Sequence, residues 1–268
     1  MLKSTFNKIA GHSLLKSFKT LLFYLSNRTF RFLYLCIPPI YFRVVNKLKK
    51  ITTERPPVLE SEFSSLPFSQ HGLSKLVNDF DFETVLDVGS GAGAHAKVLK
   101  NHGKKVTALD FGTSIYALQM NDNYDGIHHV EIDFNKYNPE QKFDCIWASH
   151  VLEHQENPGV FIKKCMDLVE DNGILAITVP PLDDNITGGH LTLWNAGLLL
   201  YQLVFNGLDC RDASIYSYGY NITVIVRKKV RSQQILAYDN GDITKLKAYF
   251  PSFIDTEPFD GRIVRWNW

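Results

Sequence analysis

The sequence predicts an α/β fold in which the strands of one sheet alternate with helices. The first observation is a buried-type run from Thr84 to Val88, which leads into a glycine-rich turn at 89–93 and a helical run from Ala94 to Lys100. The second observation is that short apolar runs recur downstream, at 105–109, 128–132 and 143–148. Apolar runs of strand length that alternate with helical patterns indicate βαβ units with parallel strands.

The composition narrows the class of protein. The chain has 268 residues, 45% hydrophobic and 13% aromatic, enough for one large domain or for a domain with an appendage. Its four cysteines are scattered and form no Cys-x-x-Cys pair, which favours a reducing, cytoplasmic compartment. The first 53 residues contain ten Lys or Arg and no acidic residue, so the rest of the chain is acidic, and we expect no nucleic-acid partner.

Residues 1–55 are predicted to form a basic, amphipathic, helical appendage. Apolar residues recur there at helical spacing, but the longest uncharged run, 32–42, is interrupted by two prolines and is too short to span a bilayer. Three interpretations stay open. The segment is a helix that contacts the cytoplasmic face of a membrane through residues 1–50, a cap that packs on the domain or on a dimer partner, or a mitochondrial-type presequence.

The other domain limits follow from changes in composition. The Ser- and Pro-rich stretch 56–70 is expected to be a linker, and 71–230 the cofactor-binding domain. Residues 231–268 are expected to form a C-terminal cap or tail. The tail carries no motif to which chemistry can be assigned.

The turn after the first strand has the composition of a nucleotide-binding turn. Gly89, Gly91 and Gly93, with Ser90 between them, let the backbone bend sharply and let a ligand approach closely, and the following helix supplies free backbone N–H groups. With Ala94, the same glycines also fit the dinucleotide fingerprint G-x-G-x-x-G/A. The turn therefore predicts a nucleotide-containing cofactor without identifying it.

The charge at the end of the first strand separates the two cofactors. Asp87 would oppose the anionic pyrophosphate that a dinucleotide brings to this turn. S-adenosylmethionine brings a cationic sulfonium and an ammonium group, for which a carboxylate is favourable. Asp87 therefore favours S-adenosylmethionine.

Carboxylates also end the second and third strands. Asp110 lies 21 residues after Gly89, the spacing of one βαβ unit, where a carboxylate accepts both ribose hydroxyls. Because dinucleotide enzymes use such a carboxylate as well, Asp110 supports the fold more than the cofactor. Asp133 is expected to accept from the adenine amino group, with Phe134 against the ring.

Two later segments make a family resemblance specific. They are Ser149-His150-Val151-Leu152-Glu153-His154, followed by Asn157-Pro158, and the run from Gly173 to Pro181. In order and spacing, the chain resembles the class I S-adenosylmethionine-dependent methyltransferases over about residues 70–230. The resemblance implies a Rossmann-like, seven-stranded, mostly parallel sheet with helices on both faces and a reversed last strand near 221–226. It also implies methyl transfer from S-adenosylmethionine, with further cofactor contacts by Phe111, Ser149 and His150.

The segment His150-x-x-Glu153-His154 leaves three interpretations open. On a helix these side chains share one face, so a metal site is geometrically possible, and some methyltransferases similar to this chain hold a divalent ion with Glu-x-x-Glu-His here. In this chain His150 replaces the first glutamate. Our prediction is that no metal binds and that Glu153 and His154 hydrogen-bond to brace the loop over the cofactor. A catalytic general-base role for His150 or His154 is the remaining alternative.

Residues after the fifth strand are predicted to meet the methyl acceptor. Gly188-Gly189 make a mobile or tightly turned loop, and His190 is a catalytic candidate that would take a proton from a hydroxyl, although a cap at a helix start fits it equally well. Chains with a similar Gly-Gly-His-Leu-x-Leu-Trp-Asn segment resemble bacterial methyltransferases of saccharide assembly. The resemblance implies O-methylation of a small molecule or of a glycan or lipid-linked hydroxyl acceptor.

Two other functions remain as alternatives. An NAD(P)-dependent oxidoreductase or sugar epimerase is favoured by Ala94 and Asp110, but no recognisable Tyr-x-x-x-Lys proton-transfer pair follows. A non-enzymatic, membrane-associated scaffold would use the basic N-terminus and the aromatic tail, and the intact set of cofactor residues argues against it. The sequence does not predict the oligomeric state.

Overall fold

The computed structural model describes residues 57–117 and 124–268, which form one eight-stranded sheet flanked by helices. The strands are β1 Thr84–Val88, β2 Lys105–Asp110, β3 His128–Glu131, β4 Phe143–Ser149, β5 Val169–Val179, β6 Ser214–Tyr218, β7 Asn221–Arg227 and β8 Arg265–Trp266. The helices are α1 Ser61–Ser64, α2 Gln70–Asp79, α3 Ala94–Asn101, α4 Pro158–Leu168, α5 Ala196–Phe205 and α6 Asp242–Leu246.

The predicted appendage 1–55, and with it the predicted membrane contact, lies outside the described residues. Within the described ranges, no helix has the length and apolar character needed to cross a bilayer.

The sheet has the order β3-β2-β1-β4-β5-β7-β6-β8. Strands β1 to β5 pair in parallel, whereas β7 runs antiparallel to both of its neighbours, so the predicted reversed strand is confirmed. The predicted count of seven strands is corrected to eight, because Arg265 and Trp266 pair with Tyr216 and Ile215 at the edge. A strand of two residues shows no periodicity that sequence reasoning could detect.

Helices cover both faces of the sheet, as the fold class requires. Successive residues of a strand point to opposite faces. Leu86 and Ile146 pack in a cluster with α4 and α5, whereas Val85 and Trp147 pack in a second cluster with α2 and α3. Because both faces are buried, the central strands read in sequence as nearly continuous apolar runs.

Segments on either side of the predicted cofactor domain contribute to its core. Phe63, in the segment expected to be a linker, is fully buried in the cluster with α2 and α3. From the C-terminal segment, Leu246, Phe250 and Ile254 are buried in the cluster with α4 and α5. The limits 56–70 and 231–268 therefore mark changes in composition, and both segments pack against the sheet domain.

Candidate active site

Backbone contacts hold the glycine turn at the carboxyl end of β1. The N–H groups of Gly89 and Ser90 donate to the Leu109 carbonyl over 2.7 and 3.0 Å, which ties the turn to β2. Gly89 has a φ of +70°, and a Cβ at this position would lie 2.4 Å from Cγ2 of Val151. The turn therefore lies directly against the His-x-x-Glu-His segment, and glycine alone suits its first position.

Asp87 is buried beside this turn with one carboxylate oxygen unsatisfied. The residue is 1% exposed, and its Oδ2 has no hydrogen-bond partner among the described residues. Burial, together with the Asp110 carboxylate, raises the pKa of Asp87 to about 7 against the opposing effect of a hydrogen bond from the Ala96 N–H. A buried, unsatisfied carboxylate fits the cationic methionine end of S-adenosylmethionine and would repel a pyrophosphate.

Asp110 and Phe111 lie at the end of β2 as the sequence predicts. Asp110 is buried, and its two oxygens accept from the N–H groups of Gly91 and Gly112 at 3.0 and 2.9 Å. Asp110 therefore fixes the turn as well as standing where a ribose carboxylate is expected. Phe111 is 57% exposed, so its ring is open to a ligand.

At the end of β3, the two predicted adenine contacts have different surroundings. The Asp133 carboxylate accepts from the Asn135 N–H at 2.9 Å and caps a 3₁₀ turn at Phe134–Lys136. Phe134 is buried, and its ring packs on Phe161 with centroids 4.9 Å apart. Phe134 thus belongs to the core, and Asp133 is the member of the pair that remains accessible at the edge.

Tyr124 is a site residue that the sequence did not reveal. Its hydroxyl donates to the Gly91 carbonyl at 2.9 Å and lies 2.6 Å from Oγ of Ser90. Burial raises the pKa of Tyr124 to about 12. The protonated Tyr124 hydroxyl thus stabilises the glycine turn through hydrogen bonds. No sequence motif around Tyr124 predicts this role.

The His-x-x-Glu-His segment is not an α-helix, which corrects the geometry expected from its spacing. His150 has a φ of +57°, and its N–H donates to the Thr178 carbonyl at 2.9 Å. A 3₁₀ turn then spans Leu152–His154. The side chains converge because the backbone turns at His150, immediately after β4.

Glu153 is a buried carboxylate between two histidines. Neither of its oxygens has a hydrogen-bond partner among the described residues. Oε1 lies 3.2 Å from Nδ1 of His150, an ion-pair distance without hydrogen-bond alignment, and 3.9 Å from Nε2 of His154. Glu153 and His154 are thus not hydrogen-bonded to each other, and each bonds to the loop after β5, Glu153 through its backbone carbonyl. His154 instead braces the loop after β5 through its Nδ1, which lies 2.7 Å from the Gly189 carbonyl oxygen.

The loop after β5 is hydrogen-bonded to the backbone of Glu153. The N–H groups of Leu191 and Thr192 donate to the Glu153 carbonyl at 2.8 and 3.2 Å. The rings of His154 and His190 meet edge to face with centroids 4.9 Å apart, and burial lowers the pKa of His190. His190 lies within the loop rather than at a helix start, because α5 begins at Ala196. All three predicted histidines therefore lie in one region.

The same region contains a set of possible metal ligands. One ligand atom each from Glu153, His154 and His190 lies within 4.8 Å of the others, and this is the one such group in the described ranges. The spacing would allow a divalent ion. The absence of a metal stays a prediction.

Two residues that the sequence did not single out join the histidine region. Oδ1 of Asn221 accepts from the Ser69 N–H at 2.9 Å and lies 3.0 Å from Nε2 of His150. Oγ of Ser69 lies 2.6 Å from Oγ of Ser149, a predicted cofactor contact. The Asn221 contacts span 152 and 71 residues of sequence, so no local pattern predicts them.

Comparison with known proteins places this geometry in a family. The methyltransferase domain model matches residues 64–207, more than half of the chain. The ubiquinone biosynthesis O-methyltransferase of Serratia proteamaculans is 30% identical over 125 residues, which cover 43% of this chain and 52% of that protein. The (S)-coclaurine N-methyltransferase of Papaver somniferum is 29% identical over 147 residues, which cover 45% of this chain and 41% of that protein. The chain thus matches about half or less of the length of these curated relatives.

One comparison is with a solved structure. The N-methyltransferase NodS from Bradyrhizobium japonicum WM9, in complex with S-adenosyl-L-homocysteine, is 16% identical, with a TM-score of 0.49, and the match covers 68% of this chain and 97% of that chain.

The family match decides between the two cofactors that the glycine turn allowed. The cofactor is S-adenosylmethionine, in agreement with the buried, unsatisfied carboxylate of Asp87. The dinucleotide-dependent alternative is thereby wrong. From its sheet order, its glycine turn and the family model over residues 64–207, the chain belongs to the class I S-adenosylmethionine-dependent methyltransferase family.

Proposed function

We propose that the chain transfers the methyl group of S-adenosylmethionine to a hydroxyl oxygen of its acceptor. The observation that carries this proposal is the position of the imidazoles of His154 and His190, in a region that packs on the glycine turn through Val151. The acceptor atom must come into line with the sulfonium beside that turn. An imidazole at this place can take the proton that a hydroxyl loses on methylation.

S-adenosylmethionine supplies a methyl group that is already activated, so the residues of the chain mainly bind and orient the reactants. Asp87 is proposed to pair with the cationic end of the cofactor and Asp110 to accept its ribose hydroxyls. The remaining proposed cofactor contacts are Gly89, Ser90, Gly91, Gly93, Phe111, Asp133, Ser149 and His150.

The histidines favour oxygen over nitrogen as the methylated atom. A hydroxyl keeps its proton at neutral pH and gains from a base, whereas a neutral amine already offers a free electron pair. The curated relatives include enzymes named for O-methylation and for N-methylation, so the atom has to be argued from the site. At this site, two histidines beside a buried carboxylate support oxygen.

Within the hydroxyl acceptors, we propose a saccharide or lipid-linked hydroxyl. A sugar hydroxyl is weakly acidic and therefore benefits strongly from a base. The loop after β5 also exposes Leu182, Ile186 and Leu191, which are 59%, 79% and 59% accessible. Exposed aliphatic side chains in the loop that contains His190 suit the nonpolar part of a lipid-linked acceptor.

The proposal is tested with methyl-labelled S-adenosylmethionine and matched sets of acceptors. Each set contains a saccharide or lipid-linked alcohol, its deoxy counterpart and its amino counterpart, and products are analysed by mass spectrometry. We expect label on the alcohol and none on the deoxy compound. Transfer to the amino compounds alone would identify an N-methyltransferase and contradict the proposal.

A further inference from the structure

The hydrogen bonds around Asn221 determine which nitrogen of His150 carries a proton. Oδ1 of Asn221 accepts the Ser69 backbone N–H at 2.9 Å, and its Nδ2 donates to the Tyr218 carbonyl at 3.4 Å. Because a backbone N–H can only donate, the atom that faces Ser69 must be the amide oxygen. Nε2 of His150 lies 3.0 Å from the same oxygen and therefore donates its proton to it.

The second nitrogen of His150 faces another oxygen. Its Nδ1 lies 3.2 Å from Oε1 of Glu153, whose side chain is fully buried. A buried carboxylate needs a counter-charge close by. Both ring nitrogens of His150 face protein oxygens, Nε2 towards Asn221 and Nδ1 towards Glu153, so neither nitrogen is open to the methyl acceptor.

His154 is oriented the opposite way. Its Nδ1 lies 2.7 Å from the Gly189 carbonyl oxygen, which only accepts, so Nδ1 carries the proton and Nε2 carries the lone pair. Nε2 is 3.9 Å from Oε1 of Glu153, beyond hydrogen-bond range, and the side chain is 42% exposed. The segment thus presents one open basic nitrogen with a buried carboxylate beside it.

His190 is less suited to act as the base. Burial lowers its pKa, and no hydrogen bond from a described residue orients its ring. An effective base is oriented by a further group, as the Gly189 carbonyl orients His154.

We infer that His154, through Nε2, is the general base of the methyl transfer, and that His150 and Glu153 are positioning residues. The inference rests on the proposed O-methyltransferase function. As the acceptor oxygen forms its bond to the methyl carbon, the methyl–sulfur bond breaks and its electron pair stays on sulfur. The hydroxyl proton passes to Nε2 of His154, next to the Glu153 carboxylate, and is then released to water.

The first test compares His154→Ala with His190→Ala and with a distant control, His102→Ala. Removing a general base lowers kcat by about 100-fold or more, and we expect this for His154→Ala with an unchanged Kd for S-adenosylmethionine. Added imidazole should restore part of the activity of His154→Ala, which a structural role would not allow. Wild-type kcat in His154→Ala, or imidazole rescue of His190→Ala instead, would overturn the assignment.

The second test needs no acceptor. Nitrogen-15 NMR of the full chain labelled at histidine, assigned with His150→Gln and His154→Gln, reports the protonated nitrogen of each ring at pH 7.5. We expect a proton on Nε2 of His150, and on Nδ1 but not Nε2 of His154. A His154 ring protonated at Nε2 contradicts the inference, even if no hydroxyl acceptor is methylated and the proposed function itself fails.

Chelation provides the third test. Activity of the wild-type chain should survive dialysis against EDTA. Loss of activity that Zn²⁺ or Mg²⁺ restores would show that Nε2 of His154 is a metal ligand together with Glu153 and His190, and it would overturn the role as base.

Discussion

The glycine turn after β1 and the histidine segment after β4 lie side by side, but they are built in different ways. The turn is held by backbone hydrogen bonds to the end of β2, and its key carboxylate, Asp87, precedes it by two residues. The histidine segment depends on side chains and carbonyls from distant parts of the chain, namely Ser69, Gly189 and Asn221. The cofactor half of the site is thus encoded locally, and the acceptor half is assembled by tertiary contacts.

The first way to sharpen this comparison is Gly89→Ala, for which we expect the largest effect. A Cβ at Gly89 would suffer from the positive φ and from contact with Val151, a stiff β-branched side chain. We expect a loss of about 3 to 4 kcal/mol in the free energy of unfolding, measured with urea.

Gly103→Ala is the matched control for Gly89→Ala. Gly103 has a φ of +75°, and no atom of the described residues lies within 4 Å of the place that a Cβ would take. Its substitution therefore costs the backbone strain alone, about 1 kcal/mol. Val151→Ala should recover part of the stability lost in Gly89→Ala. Equal losses at Gly89 and Gly103 would show that the turn does not depend on close packing against the histidine segment.

The second substitution, Asn221→Ala, removes the acceptor shared by Ser69 and His150. We expect a loss of about 2 kcal/mol in the free energy of unfolding, because a buried backbone N–H is left unpaired. Asn138→Ala, at an exposed asparagine, should change stability by less than about 0.5 kcal/mol. If Asn221→Ala and Asn138→Ala lower the free energy of unfolding by similarly small amounts, the histidine region does not depend on its long-range contacts.

The smallest effect is expected for Tyr124→Phe, which removes the hydroxyl that bonds to Gly91 and Ser90. We expect about 1 kcal/mol of lost stability and an approximately fivefold weaker Kd for S-adenosylmethionine, measured by calorimetry. Tyr137→Phe serves as the control, because no described residue hydrogen-bonds to the Tyr137 hydroxyl. A Kd unchanged in Tyr124→Phe would show that the turn binds the cofactor without support from the phenol.

The contrast between local and tertiary contacts explains which parts of the site could be predicted from the sequence. It located β1, the glycine turn and Asp110 because strand period, glycine spacing and the length of one βαβ unit are local properties. It also named the three histidines, but it expected a helical face where a positive φ at His150 and a 3₁₀ turn bring them together. Ser69, Tyr124 and Asn221 act through partners that are far away in sequence, so no spacing marks them. Phe134 was predicted from its position at a strand end to contact the adenine ring. This prediction is wrong, because its side chain packs in the core against Phe161.

The central claim is that Asp87 binds the cationic end of S-adenosylmethionine, and calorimetric titration at pH 8 and at pH 6 tests it most directly. Burial and Asp110 raise the pKa of Asp87 to about 7 in the ligand-free fold, so binding at pH 6 must first release a proton. We expect the Kd for S-adenosylmethionine to be about tenfold weaker at pH 6 than at pH 8. In Asp87→Asn, binding should be about 100-fold weaker at pH 8 and independent of pH between these values. An Asp87→Asn variant that binds with the wild-type affinity and pH dependence would contradict the account.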